Sequence, residues 1–188
     1  MKMKTSILFI ALIATTIIGN AQKRTIAGVA FPAKLSVNEK TVIYNGGGLR
    51  EKYTIDLYAG ALYLRRPSMD ASKVIDQDAE MAIRIVLVSA KVTRDKFVES
   101  VKEGFEKSDR GKATETNIAD FMKFYADPFK EGDLITIKYE PGKGVLFSKN
   151  GELRGTIKGL PFKQALFGIW LGNNPADSSL KDDMLGKV

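Results

Sequence analysis

The amino-acid sequence predicts an α+β domain in which helices cover one face of an antiparallel sheet. Its first half alternates short apolar runs with glycine-rich and proline-containing breaks, which is typical of strands. The middle changes to apolar residues spaced by three and four positions, as in amphipathic helices. A hairpin-rich block then precedes two closing helical segments. Strands and helices in this order favour helices packed on one face of a sheet.

The N-terminal segment carries the pattern of an export signal. Lysines precede an apolar run from Ile7 to Ile18, and the small residues of Gly19-Asn20-Ala21 suit a signal peptidase. The run is shorter than the roughly 20 residues that a membrane-spanning helix needs. We therefore predict a signal peptide over residues 1–21 and a single exported domain over residues 22–188. The mature domain is expected in the periplasm or outside the cell, without a stable membrane anchor.

The composition limits the chemistry, because the chain contains no cysteine and no histidine. Disulfides, thiolate ligands and cysteine nucleophiles are excluded, and so are the commonest metal ligand and the commonest general base near neutral pH. Ser-His-Asp hydrolysis and ordinary zinc sites are therefore excluded. We expect no metal and no cofactor, and any acid–base work would fall to tyrosine, lysine or carboxylates.

The positive charge is moderate and distributed. The formal net charge is +7, and removal of Lys2 and Lys4 leaves 7 − 2 = +5. Between residues 102 and 112 the basic residues are interleaved with acidic ones, which is typical of a solvated helix face. Nucleic-acid binding would require a one-sided basic stripe with exposed aromatic residues. We expect no nucleic-acid partner.

The predicted strands fall into an early and a late group. The early group ends with Met81 to Ser89, which is apolar on both faces and therefore central in the sheet. The glycine run Asn45-Gly46-Gly47-Gly48 is expected to form a turn or to let backbone approach a ligand. The full set of strand segments is Ile26 to Val37, broken by Pro32, then Thr41 to Tyr44, Leu49 to Asp56, Leu57 to Leu64, Met81 to Ser89, Asp133 to Tyr139, Val145 to Lys149 and Glu152 to Ile157.

Four helices are predicted from apolar spacing and capping residues. Thr93 is placed to cap the first, and Asp127-Pro128 ends the second because proline disfavours helical geometry in the residue before it. Pro161 marks the start of the third, and the fourth covers Ser178 to Leu185. The apolar stripes are Phe97, Val98, Val101 and Phe105 in the first helix, Ile118, Phe121, Met122 and Tyr125 in the second, and Phe162, Leu166, Phe167, Ile169 and Trp170 in the third.

The order and spacing of several segments resemble the chalcone isomerase-like family over residues 27–186. The resemblance implies an open-faced β-sandwich with helices over a cleft. The family includes plant isomerases that cyclise chalcones, plant fatty-acid-binding proteins and exported bacterial members. The segments that carry the resemblance are Gly46 to Lys52, Leu57 to Leu64, Gly132-Asp133, Pro141-Gly142-Lys143-Gly144, Asn150-Gly151, Phe162 to Gly172 and Pro175 to Gly186.

Arg50 falls at the family arginine. The resemblance implies that it stabilises developing negative charge, as in the isomerases, or pairs with a carboxylate, as in the lipid-binding branch. A guanidinium suits either role because it forms bidentate, charge-assisted hydrogen bonds. The alternative is a surface arginine paired across strands with Glu51 or Asp56.

Tyr58 falls where the isomerases keep a threonine and the fatty-acid-binding branch keeps a tyrosine that joins the arginine on the carboxylate. This resemblance favours binding. The alternative is an ordinary strand aromatic packed against Tyr63 or Leu87. The interval from Arg50 to Tyr58 is shorter than in the plant proteins, so a trimmed hairpin is expected between them.

Other isomerase positions lack their hydrogen-bonding groups. The isomerase tyrosine aligns with Phe97, the asparagine aligns with Gly104, and the serine or threonine falls among Pro161, Phe162 and Lys163. The plant enzyme's network of hydroxyls and water therefore cannot be rebuilt from these residues. Phe97 is also expected as a core residue at helical spacing.

Three functions follow as hypotheses. The first is a non-catalytic binder of fatty acids or similar apolar carboxylates, with Arg50 and Tyr58 on the anionic head and a cleft lined by residues such as Phe97, Val101, Phe121 and Phe167. The second is an intramolecular lyase or isomerase acting on a small carbonyl or phenolic substrate, in which Arg50 polarises an oxygen and Tyr58 moves a proton. The third is an envelope interaction protein without a small-molecule ligand, which an internal ion pair of Arg50 would favour.

Overall fold

The computed structural model describes residues 24–187. The predicted signal peptide over residues 1–21 lies outside this range. Within it, no helix combines the length and apolarity required to cross a bilayer.

The centre of the fold is a seven-stranded antiparallel sheet whose strands follow chain order. Strands are adjacent in the sheet in the order in which they occur in the sequence, from β3 to β9. A separate hairpin of β1 and β2 precedes it. The strands are β1 (Arg24–Ile26), β2 (Val29–Phe31), β3 (Lys34–Val37), β4 (Lys40–Lys52), β5 (Ile55–Leu64), β6 (Met81–Leu87), β7 (Leu134–Glu140), β8 (Gly144–Lys149) and β9 (Glu152–Ile157).

Five helices complete the fold of residues 24–187, and the longest of them packs chiefly against another helix. They are α1 (Ala71–Asp76), α2 (Arg94–Lys107), α3 (Glu115–Phe124), α4 (Leu160–Leu171) and α5 (Ser178–Met184). The expected cap is present, since Thr93 Oγ1 accepts a hydrogen bond from the backbone N–H of Lys96. The six-residue α1 was not predicted, because Ala71–Asp76 is too short to show a helical period.

The sheet separates two apolar cores. The larger core lies between the sheet and the helices, where Leu62, Ile83 and Ile137 are fully buried. The smaller core lies on the opposite face, where Phe31 of the β1–β2 hairpin and Tyr63 are buried. The sheet curls around this second face far enough that β3 contacts β7. The predicted α+β class, with an antiparallel sheet covered by helices, is confirmed, and β6 is central as expected.

The strand break predicted at Asn45-Gly46-Gly47-Gly48 is in the wrong place. Gly46, Gly47 and Gly48 lie inside the continuous strand β4. The pairing of β4 with β5 shifts register between Tyr44 and Gly46. The hairpin turn instead lies at Tyr53-Thr54, between β4 and β5. The strand predicted to end at Asp56 is therefore two strands, because Tyr53 adopts a positive φ of 59° that strand propensity does not reveal.

The glycine run is explained by close approach of α5 and not by a turn. A Cβ at Gly46 would lie 2.1 Å from the backbone oxygen of Asp183, which is too close for any residue other than glycine. Asn45 Nδ2 donates to the carbonyl oxygen of Met184 at 2.8 Å and to that of Ser68 at 3.0 Å. Helix α5 thus packs directly against the backbone of β4.

Lys163 is a buried lysine of α4 whose amine binds the C-terminal end of α1. Its side chain has no exposed surface. Nζ donates hydrogen bonds to the carbonyl oxygens of Val74, Ile75 and Gln77 at 2.9, 2.7 and 2.9 Å. Burial lowers the pKa of Lys163 to about 7, while Asp76 and Asp78 act to raise it. Three hydrogen bonds therefore offset the cost of burying this amine.

Candidate ligand pocket

A pocket of about 400 Å³ opens between the β4–β5 hairpin and the start of α2. Its buried floor includes Tyr58, Val92 and Phe97, which are 3, 7 and 4% exposed. Leu57 and Ile55 extend the apolar wall outward. The remaining lining residues are polar or lie at the opening: Arg50, Lys52, Tyr53, Lys91, Lys96, Glu99, Ser100 and Glu103. An apolar pocket with a few convergent polar groups is the usual form of a small-molecule site.

Arg50 and Tyr58 are directly opposite each other on β4 and β5. The guanidinium carbon of Arg50 lies 5.5 Å from the centre of the Tyr58 ring, within the range of a cation–π contact. The turn at Tyr53-Thr54 therefore places the two residues side by side. Among residues 24–187, Arg50 forms no ion pair, neither with Glu51 nor with Asp56. Its charge is directed at the pocket without a carboxylate partner from the described residues.

The Tyr58 hydroxyl is held by Trp170 of α4. Trp170 Nε1 donates to Tyr58 Oη at 2.9 Å, and both side chains are 3% exposed. Burial raises the pKa of Tyr58, although Arg50 and the hydrogen bond from Trp170 partly oppose the shift. The hydroxyl therefore stays protonated near neutral pH. Because the indole and the guanidinium are donors only, the hydroxyl proton is available for an acceptor on a ligand.

The predicted apolar residues divide between the pocket and the core. Phe97 lines the pocket, and its ring also packs edge to face with Tyr125 at 5.8 Å. Val101, Phe121 and Phe167 do not line it, because all three are buried in the larger core. The Phe121 ring packs against aromatic rings of α2, of the residue after α3 and of β8. The Phe167 ring faces the amine of Lys163. The structure thus brings Arg50, Tyr58 and Phe97 to one pocket and assigns the other three to packing.

Gly104 and Lys163, which align with hydrogen-bonding positions of the isomerases in the resemblance, do not line the pocket. A Cβ at Gly104 would lie 2.7 Å from Ile169 Cγ2, so glycine lets α2 and α4 approach closely. Lys163 points into the protein toward α1 and not into the pocket. No hydroxyl or amide replaces the missing groups at these two positions.

The sequence singles out neither several of the pocket residues nor the partner of the Tyr58 hydroxyl. Val92 and Ser100 line the pocket from the loop before α2 and from α2 itself. Trp170 was recognised only as an apolar residue of the third predicted helix. A buried indole N–H needs an acceptor, and that requirement was the available signal for its bond with Tyr58.

Comparisons with known proteins agree with this architecture. Residues 23–186 match the sequence profile of a family described as chalcone isomerase-like. The crystal structure of a fatty-acid binding protein from Arabidopsis thaliana superposes with a TM-score of 0.68 and 22% sequence identity, covering 85% of this chain and 93% of the plant chain. A search of curated protein sequences finds no match. At this identity the plant structure shows similarity of fold alone.

Proposed function

Because the chain belongs to the chalcone isomerase-like family, and its pocket joins a cation to an apolar floor, we propose that it binds fatty acids or similar apolar carboxylates without catalysis. The observation that carries this proposal is the Arg50 guanidinium, which has no ion pair within residues 24–187 and lies opposite the buried Tyr58. The carboxylate would lie between these two donors. The acyl chain would follow Leu57, Val92 and Phe97. The fold similarity to a plant fatty-acid binding protein supports the same class of ligand.

The protonation state of Tyr58 favours binding over proton transfer. A tyrosine with a raised pKa is a poor base near neutral pH and a good hydrogen-bond donor. The alternative, an intramolecular lyase or isomerase, requires a group that accepts a proton from the substrate. The hydroxyl and amide groups of the plant isomerases are absent at Phe97 and Gly104. These features support a holding role for Arg50 and Tyr58.

The volume of the pocket favours ligands of modest size. About 400 Å³ lies toward the lower end of the range for small-molecule pockets, roughly 300–1,000 Å³. Each buried methylene contributes roughly 0.8 kcal/mol, so affinity is expected to rise with chain length until the pocket is full and then to level off. Native mass spectrometry of the protein from its own host, with organic extraction, identifies any carried ligand. Calorimetric titration with saturated fatty acids of increasing length then tests the proposal, and an empty protein without affinity for any of them contradicts it.

Tyr58→Phe is expected to weaken fatty-acid binding by about 1 kcal/mol, or roughly fivefold, because one hydrogen bond to the carboxylate is lost. The ring and its packing stay in place. Calorimetric titration of the variant measures the change. Tyr44→Phe, at a half-buried tyrosine of β4 outside the pocket, is the matched control, and equal losses in the two variants would contradict a specific role for the Tyr58 hydroxyl.

Trp170→Phe is expected to act on affinity through Tyr58. The variant removes the N–H that orients the hydroxyl and should weaken binding by less than Tyr58→Phe does. In a double-mutant cycle, Trp170→Phe should change affinity little once Tyr58 is already phenylalanine. Fully additive losses would show that the indole acts on the ligand by another route.

We also propose export, with removal of residues 1–21. The expected protein from its own host begins at Gln22, because signal peptidases cleave after small residues such as Ala21. Intact-mass measurement of the purified protein gives the N-terminus directly. Recovery of a chain that still begins with Met1 in the cytoplasmic fraction contradicts the proposal.

A further inference from the structure

The opening of the pocket is surrounded by an exposed rim formed by Lys52, Tyr53, Lys91 and Lys96. All four side chains are exposed, and Tyr53 is 90% exposed at the tip of the β4–β5 hairpin. A bulky residue with positive φ is uncommon, and here it presents an aromatic ring to solvent beside an apolar pocket. Rings with a polar tip are favoured where an apolar phase meets water.

The rim is also basic, and its lysines are not held in ion pairs among the described residues. Lys52, Lys91, Lys96 and the neighbouring Arg50 form no ion pair with any residue in the described part of the chain. The two acidic lining residues do not neutralise them, because Glu103 pairs with Lys107 at 3.6 Å and only Glu99 is left. The residues that line the pocket therefore carry four positive and two negative charges, a net charge of 4 − 2 = +2.

We propose that the rim docks onto an anionic lipid bilayer, so that an acyl ligand passes between membrane and pocket. This inference rests on the proposed binding of fatty acids. Lysines beside a negatively charged membrane surface are attracted to it, and an interfacial tyrosine adds apolar contact. The other large apolar side chains that protrude, Met69 and Leu153, are 57 and 56% exposed and do not line the pocket. The exposed Tyr53 thus lies at the same opening as the unpaired lysines of the described chain.

The test is cosedimentation of the protein spanning residues 22–188 with lipid vesicles. One set contains only phosphatidylcholine, and the other contains equal parts of phosphatidylcholine and phosphatidylglycerol. We expect binding to the anionic vesicles alone, weakening as salt is raised, because exposed charges are screened. The double variant Lys52→Glu/Lys91→Glu should reduce that binding by about tenfold or more. Tyr53→Ser should reduce it by about threefold.

Matched variants away from the rim separate specific docking from general charge and apolar effects. Lys130→Glu/Lys158→Glu makes the same change of net charge at exposed lysines outside the pocket, and Leu153→Ser removes an exposed apolar side chain from another hairpin. Both controls should bind anionic vesicles like the wild type. Equal binding to the two vesicle types, or equal losses in rim and control variants, overturns the proposal. A dimer in solution that the rim variants dissociate would also overturn it, since the rim would then contact a second copy.

These measurements can contradict either proposal without contradicting the other. The sedimentation contains no fatty acid, and the calorimetric titration of the wild type contains no vesicles. Fatty-acid affinity without vesicle binding therefore overturns docking and leaves the proposed function standing. Rim-dependent vesicle binding without fatty-acid affinity supports docking and overturns the proposed ligand.

Discussion

Arg50→Ala is expected to weaken the binding of fatty acids by about 3 kcal/mol, or at least 100-fold, while the domain stays folded. The guanidinium is the cation opposite Tyr58 in the pocket, and among the described residues no carboxylate pairs with it. Its removal would leave the ligand carboxylate partly desolvated with only the tyrosine hydroxyl to bind. Because the side chain is half-buried, lines the pocket and makes no ion pair with described residues, stability should change little.

Calorimetric titration of wild type and variant measures this change, with circular dichroism as a check on folding. Arg66→Ala is the matched control, because Arg66 is exposed, lies outside the pocket and makes no ion pair with residues in the described range. It should bind fatty acids like the wild type. Equal affinity of Arg50→Ala and wild type would disprove the carboxylate role and turn attention to another substrate or to a protein partner.

Lys163→Met is expected to lower the free energy of unfolding by about 4 kcal/mol, because buried carbonyl oxygens lose their hydrogen-bond donor. The methionine retains most of the apolar stem but leaves the carbonyl oxygens of Val74, Ile75 and Gln77 without their common donor. These carbonyls lie at the C-terminal end of α1, where no further turn of helix supplies donors. The cation also lies 5.4 Å from the rings of Tyr139 and Phe167, and both contacts would be lost.

Denaturant unfolding of the two proteins measures the difference. Lys158→Met, at an exposed lysine just before α4, is the matched control and should change stability by less than about 0.5 kcal/mol. A loss below about 1 kcal/mol in Lys163→Met would show that the buried amine contributes little beyond its packing.

Most of the fold could be predicted from the sequence because its signals are local. The apolar spacing from Phe97 to Phe105 and the cap at Thr93 mark α2, and the Asn150-Gly151 turn marks the hairpin of β8 and β9. The glycine run before Leu49 was ambiguous, because a missing Cβ permits both a turn and a close approach of another element. Only the position of α5 distinguishes the two, and that position is not encoded locally.

The candidate site was less predictable than the fold. Arg50 and Tyr58 were singled out through the family resemblance, since their residue types alone also fit a surface pair on two strands. The bond from Trp170 to Tyr58 joins residues separated by 112 positions, and no short motif signals it. Val101, Phe121 and Phe167 share the apolar character of Phe97, but the depth at which each helix packs decides which of them meets the pocket.

The contact of α5 with β4 has a consequence for the folding pathway. Asn45 and Met184, which this contact joins, are separated by 139 positions, so that closing the loop between them carries a large entropic cost before any contact is gained. Local hairpins such as β8–β9 can form much earlier. A seven-residue helix is not stable alone, so we expect protection of the Leu185 amide at the end of α5 from hydrogen exchange to be among the last events of refolding, reporting when the whole domain has closed.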